Sequence, residues 1–301
     1  MGGQRGRWQG RGVAHPWRWV AACVGWVMVL GVALAWRPTP RDSPPPPATT
    51  PMTSTEDYLP GLGADLYLPA AGTQRPPVVV LVPGGGWTSA DRRGLAPLAG
   101  ALAERGAVAV NVTYRVGPGF PFPVPAADVV CAIDYAADRA RRAGFALGPV
   151  VVLGHSAGAQ LGALAALAPD HFRRGCPYPP SEVTGLIGLS GPYDISKIQE
   201  FASPLFGVSP VQDPAAWRDG NPMSWLAVPA GRRALPVLLA HGSADAVVPS
   251  TFSQNFAQAL RSAGHPVQLE LVPGVDHSSI YTPEVIASRV VAWVRSVAVG
   301  S

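Results

Sequence analysis

The chain has 301 residues, of which 48% are hydrophobic and 14% charged, and this composition excludes a wholly disordered protein. Its formal net charge of +4 comes from arginines ahead of residue 36, namely Arg5, Arg7, Arg11 and Arg18, where no acidic residue occurs. Because the remaining residues carry no net charge, the sequence offers no basic surface for nucleic acid, and we expect no such partner.

Residues 1–36 form the first distinct segment, in which a basic stretch precedes an apolar run bounded by Trp19 and Trp36. This pattern is typical of a cleaved secretory signal peptide, with Ala-Leu-Ala at 33–35 as the cleavage site. It equally fits an uncleaved membrane anchor, because residues 19–36 would rise about 27 Å as a helix, close to the thickness of the hydrocarbon core. Both interpretations keep the arginines in the cytoplasm and export the rest. We therefore predict an extracytoplasmic protein, either secreted or attached to the membrane through residues 19–36.

Residues 37–56 follow as a proline-rich stretch, which predicts a stiff linker. The remainder, 57–301, has the length of one large α/β catalytic domain with a full core.

Two of the cysteines, Cys131 and Cys176, lie in this domain and could form a disulfide outside the cytoplasm, although two buried free thiols fit the sequence equally well. No cysteine and histidine cluster has zinc spacing, and no metal or organic cofactor is expected.

Apolar runs alternate with segments of helical spacing throughout the predicted domain. Strands are predicted at 64–69, 77–82, 107–114, 150–153, 186–189, 236–240 and 267–272, and helices at 95–105, 126–143, 157–167, 253–263 and 283–297. This alternation predicts an α/β fold with a mostly parallel central sheet flanked by helices on both faces. Residues 196–235 are rich in proline, tryptophan and glycine, and we expect them to form a short cap segment over the site.

The sequence Gly-His-Ser-Ala-Gly at 154–158 stands between a valine-rich strand and a helix of small residues. In this context Gly-x-Ser-x-Gly is typical of a nucleophile elbow, a tight turn that points the serine hydroxyl out of the sheet. It predicts Ser156 as the nucleophile. The N–H of Ala157, at the helix N-terminus, is expected to stabilise developing negative charge. His155 is expected to pack rather than to act as a base.

A run of three glycines at 84–86 follows another buried strand. Consecutive glycines let backbone N–H groups approach a substrate oxyanion closely. We therefore predict that Gly85 and Gly86 complete an oxyanion hole together with Ala157. A phosphate-binding loop is a weaker interpretation, because the spacing is not GxGxxG and no Lys-Ser/Thr follows.

The general base and the acid that orients it are expected in the loops that follow the later strands. His277 follows the last strand and is favoured as the base over His265, which lies in a turn before that strand. The acid is expected between nucleophile and base in the chain. Asp245, after the strand at 236–240, is favoured over Asp194, and Asp276 adjoins the base in sequence, where side chains normally diverge.

Five motifs occur in an order that resembles the α/β-hydrolase esterases: PGGGW at 83–87, VTYR at 112–115, GHSAG at 154–158, HGSADAVVP at 241–249 and GVDH at 274–277. The similarity covers roughly residues 60–298 and is to the branch with HGGG-type oxyanion loops, which includes acetyl-xylan-esterase-like, feruloyl-esterase-like and kynurenine-formamidase-like enzymes. It implies the α/β-hydrolase fold. Pro83 departs from the pattern, since many relatives have histidine there, which leaves the subfamily open.

These residues predict a serine esterase that cleaves a small or medium acyl ester, on a small molecule or a polysaccharide, through Ser156, His277, Asp245 and an acyl-enzyme intermediate. An amide hydrolase of the formamidase or peptidase type would use the same residues and stays open as an alternative. A non-catalytic binding protein on this fold is disfavoured, because all three triad positions are filled. Trp87 and Tyr193 are candidate pocket walls, although aromatic residues are equally common in cores. The sequence does not specify the oligomeric state.

Overall fold

The computed structural model describes residues 54–299. The predictions for residues 1–36 and for 37–53 of the linker lie outside these residues. The described part contains an eight-stranded sheet with the spatial order β1-β2-β4-β3-β5-β6-β7-β8. Its strands are β1 Ser54–Leu59, β2 Leu62–Tyr67, β3 Val78–Val82, β4 Val108–Val112, β5 Val150–His155, β6 Gly185–Leu189, β7 Val237–Gly242 and β8 Val267–Val272.

The sheet is mostly parallel, as predicted. Strand β2 pairs antiparallel with both β1 and β4, whereas every other neighbouring pair is parallel. Helices connect the parallel strands, and their bounds are α1 Ala96–Glu104, α2 Val124–Arg142, α3 Ala157–Leu167, α4 Pro169–Phe172, α5 Gln199–Phe206, α6 Pro214–Asp219, α7 Thr251–Ser262 and α8 Pro283–Val299. This arrangement confirms the predicted α/β-hydrolase fold.

Alternating side chains of the central strands pack on opposite faces of the sheet, because successive residues of a strand point in opposite directions. Val78, Val80 and Val82 belong to a core cluster with residues of α2, α3 and α7. Val79 and Leu81 belong to a second cluster with residues of α1 and α8. The near-continuous apolar runs of the sequence are therefore explained by a sheet that is covered on both faces.

The linker boundary differs from the prediction. Strand β1 begins at Ser54, so residues 54–56, which the sequence pattern assigns to the linker, belong to the sheet. Glu56 forms an ion pair of 2.8 Å with Arg139 of α2, and the buried Tyr58 donates a hydrogen bond of 2.7 Å to the carbonyl oxygen of Thr113. These distant partners hold a short polar strand whose own sequence carries little apolar signal.

The disulfide question left open by the sequence is answered by the fold. Cys131 of α2 is bonded to Cys176, which lies in the loop after α4.

The predicted cap segment at 196–235 is made of short elements, namely α5, α6 and a 3₁₀ turn at Pro222–Ser224. None of the helices within residues 54–299 is both long enough and apolar enough to cross a membrane.

Candidate active site

Ser156 occupies the turn between β5, which ends at His155, and α3, which begins at Ala157. Its φ of 52° and ψ of −123° are unfavourable for a residue other than glycine. The turn is also crowded, because a Cβ at Gly154 would collide with the carbonyl oxygen of Gly158. Positive φ at the serine and closely packed glycines on either side are the geometry of a nucleophile elbow.

Asp245 and His277 are brought together by the loops that follow β7 and β8. Nδ1 of His277 lies 2.8 Å from Oδ2 of Asp245, and the carboxylate is inaccessible to solvent. Its other oxygen accepts hydrogen bonds of 2.9 Å from the N–H groups of Val247 and Val248. Burial by itself raises the pKa of Asp245, but the hydrogen bonds from Val248, His277 and Val247 outweigh burial and hold the pKa below its ordinary value. The carboxylate is therefore ionised at neutral pH and keeps a proton on Nδ1 of His277.

Ser156 and His277 line one cleft of about 310 Å³. In the described part of the chain no hydrogen bond joins the serine hydroxyl to the imidazole; such bonds are often long in enzymes without substrate. The aromatic walls of the cleft are Phe201 of α5, which is 51% exposed, and Tyr281. Phe201 is one of the aromatic residues of the predicted cap segment at 196–235, whereas sequence reasoning did not identify Tyr281, because nothing in its local sequence distinguishes it from other aromatic residues.

The glycine loop lies beside the nucleophile. A Cβ at Gly84 would come within 2.9 Å of Cβ of Ser156, and both Gly85 (φ 137°) and Gly86 (φ 57°) have positive φ. As far as the described residues go, the N–H groups of Gly85, Gly86 and Ala157 donate to no acceptor in the protein. Gly85 and Gly86 line the same cleft as Ser156, and Ala157 directly follows the serine; the oxyanion hole that sequence analysis predicts from these three N–H groups stays a prediction.

Pro83, which departs from the HGGG pattern, is held by a different contact. The buried hydroxyl of Tyr114 donates a hydrogen bond of 3.0 Å to the carbonyl oxygen of Pro83. Tyr114 follows β4, so this bond ties the start of the glycine loop to the neighbouring strand. The loop is anchored here without an imidazole at position 83.

The two candidate pocket walls lie in the core instead. Trp87 is 1% exposed, and its indole N–H donates a hydrogen bond of 3.0 Å to Oε1 of Gln160. Tyr193 is fully buried and stacks on Phe256 with ring centroids 4.3 Å apart. Neither lines the cleft. Trp87 contacts it indirectly, through an edge-to-face packing with Phe201 at 5.8 Å.

His241 supports the acid, a role that sequence reasoning missed. Its Nε2 lies 2.8 Å from the carbonyl oxygen of Val248 and 3.2 Å from Oδ2 of Asp245. The hydroxyl of Ser253 is 2.7 Å from Nδ1. Because burial lowers the pKa of His241, the ring is neutral and donates its Nε2–H to these oxygens. The sequence feature that could have indicated this role is the position of His241 at the end of a strand, four residues before Asp245.

The disfavoured candidates lie elsewhere or point away. Asp194 caps a 3₁₀ turn by accepting hydrogen bonds from Ser196 and from Asn221. His265 is buried and bonds to the carbonyl oxygen of Leu226. Asp276 accepts hydrogen bonds from the backbone of its own turn. Among residues 54–299, no three histidine, cysteine or acidic side chains are grouped so that they could hold a metal ion.

Comparison with known sequences gives one family match, since residues 64–260 match the BD-FAE family. The probable carboxylic ester hydrolase LipM of Mycobacterium tuberculosis is 29% identical over 215 residues, which are 67% of this chain and 49% of LipM. Esterase LipC of the same organism is 30% identical over 221 residues, which are 68% of this chain and 53% of LipC. The chain thus spans about half the length of the curated relatives that it matches.

Comparison with solved structures agrees on the fold. A truncated carbohydrate esterase from gut microbiota superimposes with a TM-score of 0.73 at 19% sequence identity, and the match covers 83% of this chain and 97% of that one. At this level of identity the similarity is one of architecture.

Proposed function

The chain belongs to the BD-FAE family, and we propose that it is a serine carboxylic-ester hydrolase that cleaves small or medium acyl esters. The observation that carries this proposal is a single cleft that holds Ser156 and His277, with the imidazole bonded to the ionised Asp245. A serine and an imidazole in one cleft, with an ionised acid buried behind the imidazole, are the parts that acyl transfer requires. The curated relatives named above are also esterases.

The first half of the reaction is acylation. Because Asp245 fixes the proton on Nδ1 of His277, Nε2 carries a lone pair and can accept the hydroxyl proton of Ser156. The serine oxygen then bonds to the ester carbonyl carbon, and the C=O electron pair moves onto oxygen. When the tetrahedral intermediate collapses, the C–O bond to the alcohol breaks and His277 gives its proton to the departing oxygen. The acyl group remains on Ser156.

The oxyanion is stabilised by the three unpaired N–H groups of Gly85, Gly86 and Ala157. They are fixed before substrate arrives, so no reorganisation is needed as charge develops. Each such donor contributes roughly 3–4 kcal/mol to the transition state. A free N–H at the start of α3 adds the positive end of the helix dipole.

The second half returns the enzyme to its starting state. Water takes the place of the alcohol, and His277 removes one of its protons as the water oxygen attacks the acyl carbon. Collapse of this second intermediate breaks the bond to Ser156, whose oxygen recovers the proton from His277, and the acid departs. The reaction needs no metal and no organic cofactor.

The dimensions of the cleft support a small or medium acyl group. Its volume of about 310 Å³ is at the lower end for ligand pockets, and its walls include the apolar side chains of Phe201, Val247 and Leu95. Phe201 and Val247 are 51% and 60% exposed, so the cleft is open to solvent on that side. An alcohol part as large as a sugar of a polysaccharide could extend through this opening.

We also propose that the domain works outside the cytoplasm. The bond between Cys131 and Cys176 supports this location, because structural disulfides persist in oxidising compartments and are rare in the cytosol. The arginine-rich start of the chain and the apolar run at 19–36 support the same orientation.

The test of the proposed function is hydrolysis of p-nitrophenyl acetate, butyrate and octanoate by the full chain, beside Ser156→Ala. We expect turnover that prefers the shorter esters and a loss of roughly 10⁴–10⁶-fold in kcat for the variant. A folded parent with no more activity than Ser156→Ala on any ester would contradict the proposal. Hydrolysis of p-nitroacetanilide but not of the esters would favour the amide hydrolase.

A further inference from the structure

His155, the residue before the nucleophile, contacts the loop that carries the base, the ring of Tyr281 and the start of the glycine loop. Its Nε2 lies 2.8 Å from the backbone carbonyl oxygen of His277. Its ring packs against the rings of His277 and Tyr281, with centroids 4.7 and 4.6 Å apart. On the other side, a Cβ at Gly84 would lie 3.0 Å from its Nδ1, so the ring also abuts the glycine loop. The side chain is therefore enclosed by the loops that carry the base and the oxyanion donors.

The direction of the hydrogen bond follows from its partners. A carbonyl oxygen only accepts, so Nε2 of His155 carries the proton and donates it to the carbonyl of His277. The pKa of His155 is lowered to about 4, mainly because the ring is buried and also because it faces His277. The other titratable groups that act on it are Asp245 and His241. At neutral pH the ring is an uncharged donor with a fixed tautomer.

We propose that His155 is a positioning residue, which through its Nε2–H bond to the carbonyl oxygen of His277 holds the base at a fixed distance from Ser156. This inference rests on the proposed function. His155 and Ser156 are adjacent in the elbow, so the bond attaches the backbone of the base to the backbone of the nucleophile. Asp245 orients the imidazole ring, but His155 holds the main chain from which that ring projects. A displacement of about 1 Å at a reacting group can cost roughly 10²-fold in rate.

Three variants separate the hydrogen bond from the packing. His155→Phe keeps an aromatic ring but has no N–H, whereas His155→Gln keeps an N–H donor at a similar reach without the ring. His265→Phe is the matched control, because His265 is also buried and its Nε2 also lies 2.9 Å from a backbone carbonyl, that of Leu226, away from the cleft. Circular dichroism and the thermal midpoint show whether each variant is folded.

With p-nitrophenyl acetate, we expect His155→Phe to lower kcat by about 10–100-fold while KM changes less than about threefold. His155→Gln should recover kcat to within about fivefold of the parent. His265→Phe should lower the thermal midpoint and leave kcat and KM unchanged. If His155→Gln is as impaired as His155→Phe, or if His155→Phe turns over at the parental rate, the hydrogen bond does not position the base and the proposal is wrong.

A second measurement needs no substrate and so remains decisive if the chain hydrolyses no ester. Hydrogen exchange of the backbone amides at 274–282 reports local opening of the loop that carries His277. We expect these amides to exchange about tenfold faster in His155→Phe and at the parental rate in His155→Gln and His265→Phe. Unchanged exchange in His155→Phe would overturn the proposal even if kcat falls. An inactive parent with faster loop exchange in His155→Phe would refute the esterase while leaving the contact established.

Discussion

Nδ1 of His277 donates a hydrogen bond of 2.8 Å to Oδ2 of Asp245, although 32 residues separate the two in the chain. The bond connects the loop after β8 to the loop after β7, which are neighbouring parallel strands. Since the carboxyl ends of parallel strands meet at the same edge of the sheet, a residue from each loop can reach the nucleophile after β5. The order of the strands in the sheet, rather than a local sequence motif, therefore brings His277 and Asp245 together.

The first prediction concerns this bond. Asp245→Asn should lower kcat for p-nitrophenyl acetate by about 10⁴-fold, because an amide can stabilise the wrong tautomer of His277. Asp194→Asn is the matched control, since Asp194 caps a 3₁₀ turn and does not line the cleft. Its kcat should equal that of the parent. A large loss in Asp194→Asn with little loss in Asp245→Asn would reverse the assignment of the acid.

The second prediction concerns stability below neutral pH. An unfolded histidine titrates near pH 6.5, whereas the folded pKa of His155 is about 4, so between these values the unfolded chain binds more protons. The stability due to neutral His155 is therefore complete above about pH 6.5 and is lost as the pH falls towards 4, by about 3 kcal/mol in total. Burial lowers the pKa of His241 as well, which acts in the same direction.

Urea unfolding at pH 7, 6 and 5 measures this dependence. The free energy of unfolding of the parent should decrease over this range, and the decrease should be smaller in His155→Gln, which has one titrating group fewer. Parallel curves for the parent and the variant would show that His155 is not a source of the acid sensitivity.

The third prediction concerns the anchoring of the glycine loop. Trp87→Phe removes the N–H that bonds to Gln160 and leaves the buried Oε1 of Gln160 without that donor. This should reduce the free energy of unfolding by about 1–3 kcal/mol. Because Trp87 directly follows the oxyanion glycines, kcat should also fall, by roughly tenfold, with little change in KM.

Trp217→Phe provides the matched comparison for Trp87→Phe. It also removes one indole hydrogen bond, of 2.9 Å to the carbonyl oxygen of Val208, but Trp217 belongs to α6 and is not adjacent to the oxyanion glycines. It should therefore lose stability and retain its kcat. Equal effects of the two variants on kcat would indicate a general loss of packing rather than a specific support of the oxyanion donors.

The fourth prediction concerns the disulfide. The bond between Cys131 and Cys176 closes a loop with a sequence separation of 45, and loop-closure entropy gives a stabilisation of about 4 kcal/mol. The double variant Cys131→Ser with Cys176→Ser should lose this amount, measured by urea unfolding. Its kcat on p-nitrophenyl acetate should match that of the parent, because neither cysteine lines the cleft. Stability equal to that of the untreated parent would show that the bond does not form in the expressed protein.

Much of the architecture could be read from local patterns. The apolar runs at β3, β5 and β7 predict buried strands because few other structures accommodate such runs, and the strand–helix alternation predicts their parallel pairing. Strand β1 was missed because four of its six residues are polar and its partners Arg139 and Thr113 lie far along the chain. Local periodicity carries no information about such partners.

The sequence by itself determined the residues whose chemistry depends on short-range geometry. The elbow around Ser156 and the glycine run at 84–86 are local turns, and their backbone requirements are visible in the glycines themselves. The hydrogen bond between Asp245 and His277, the pairing of the cysteines and the burial of Trp87 were decided only by the tertiary structure. The same holds for the contact of His155 with the carbonyl of His277. Each of these contacts depends on which loops lie next to each other at the edge of the sheet. The order of the strands determines which loops are adjacent, and the local sequence around each residue does not show that order.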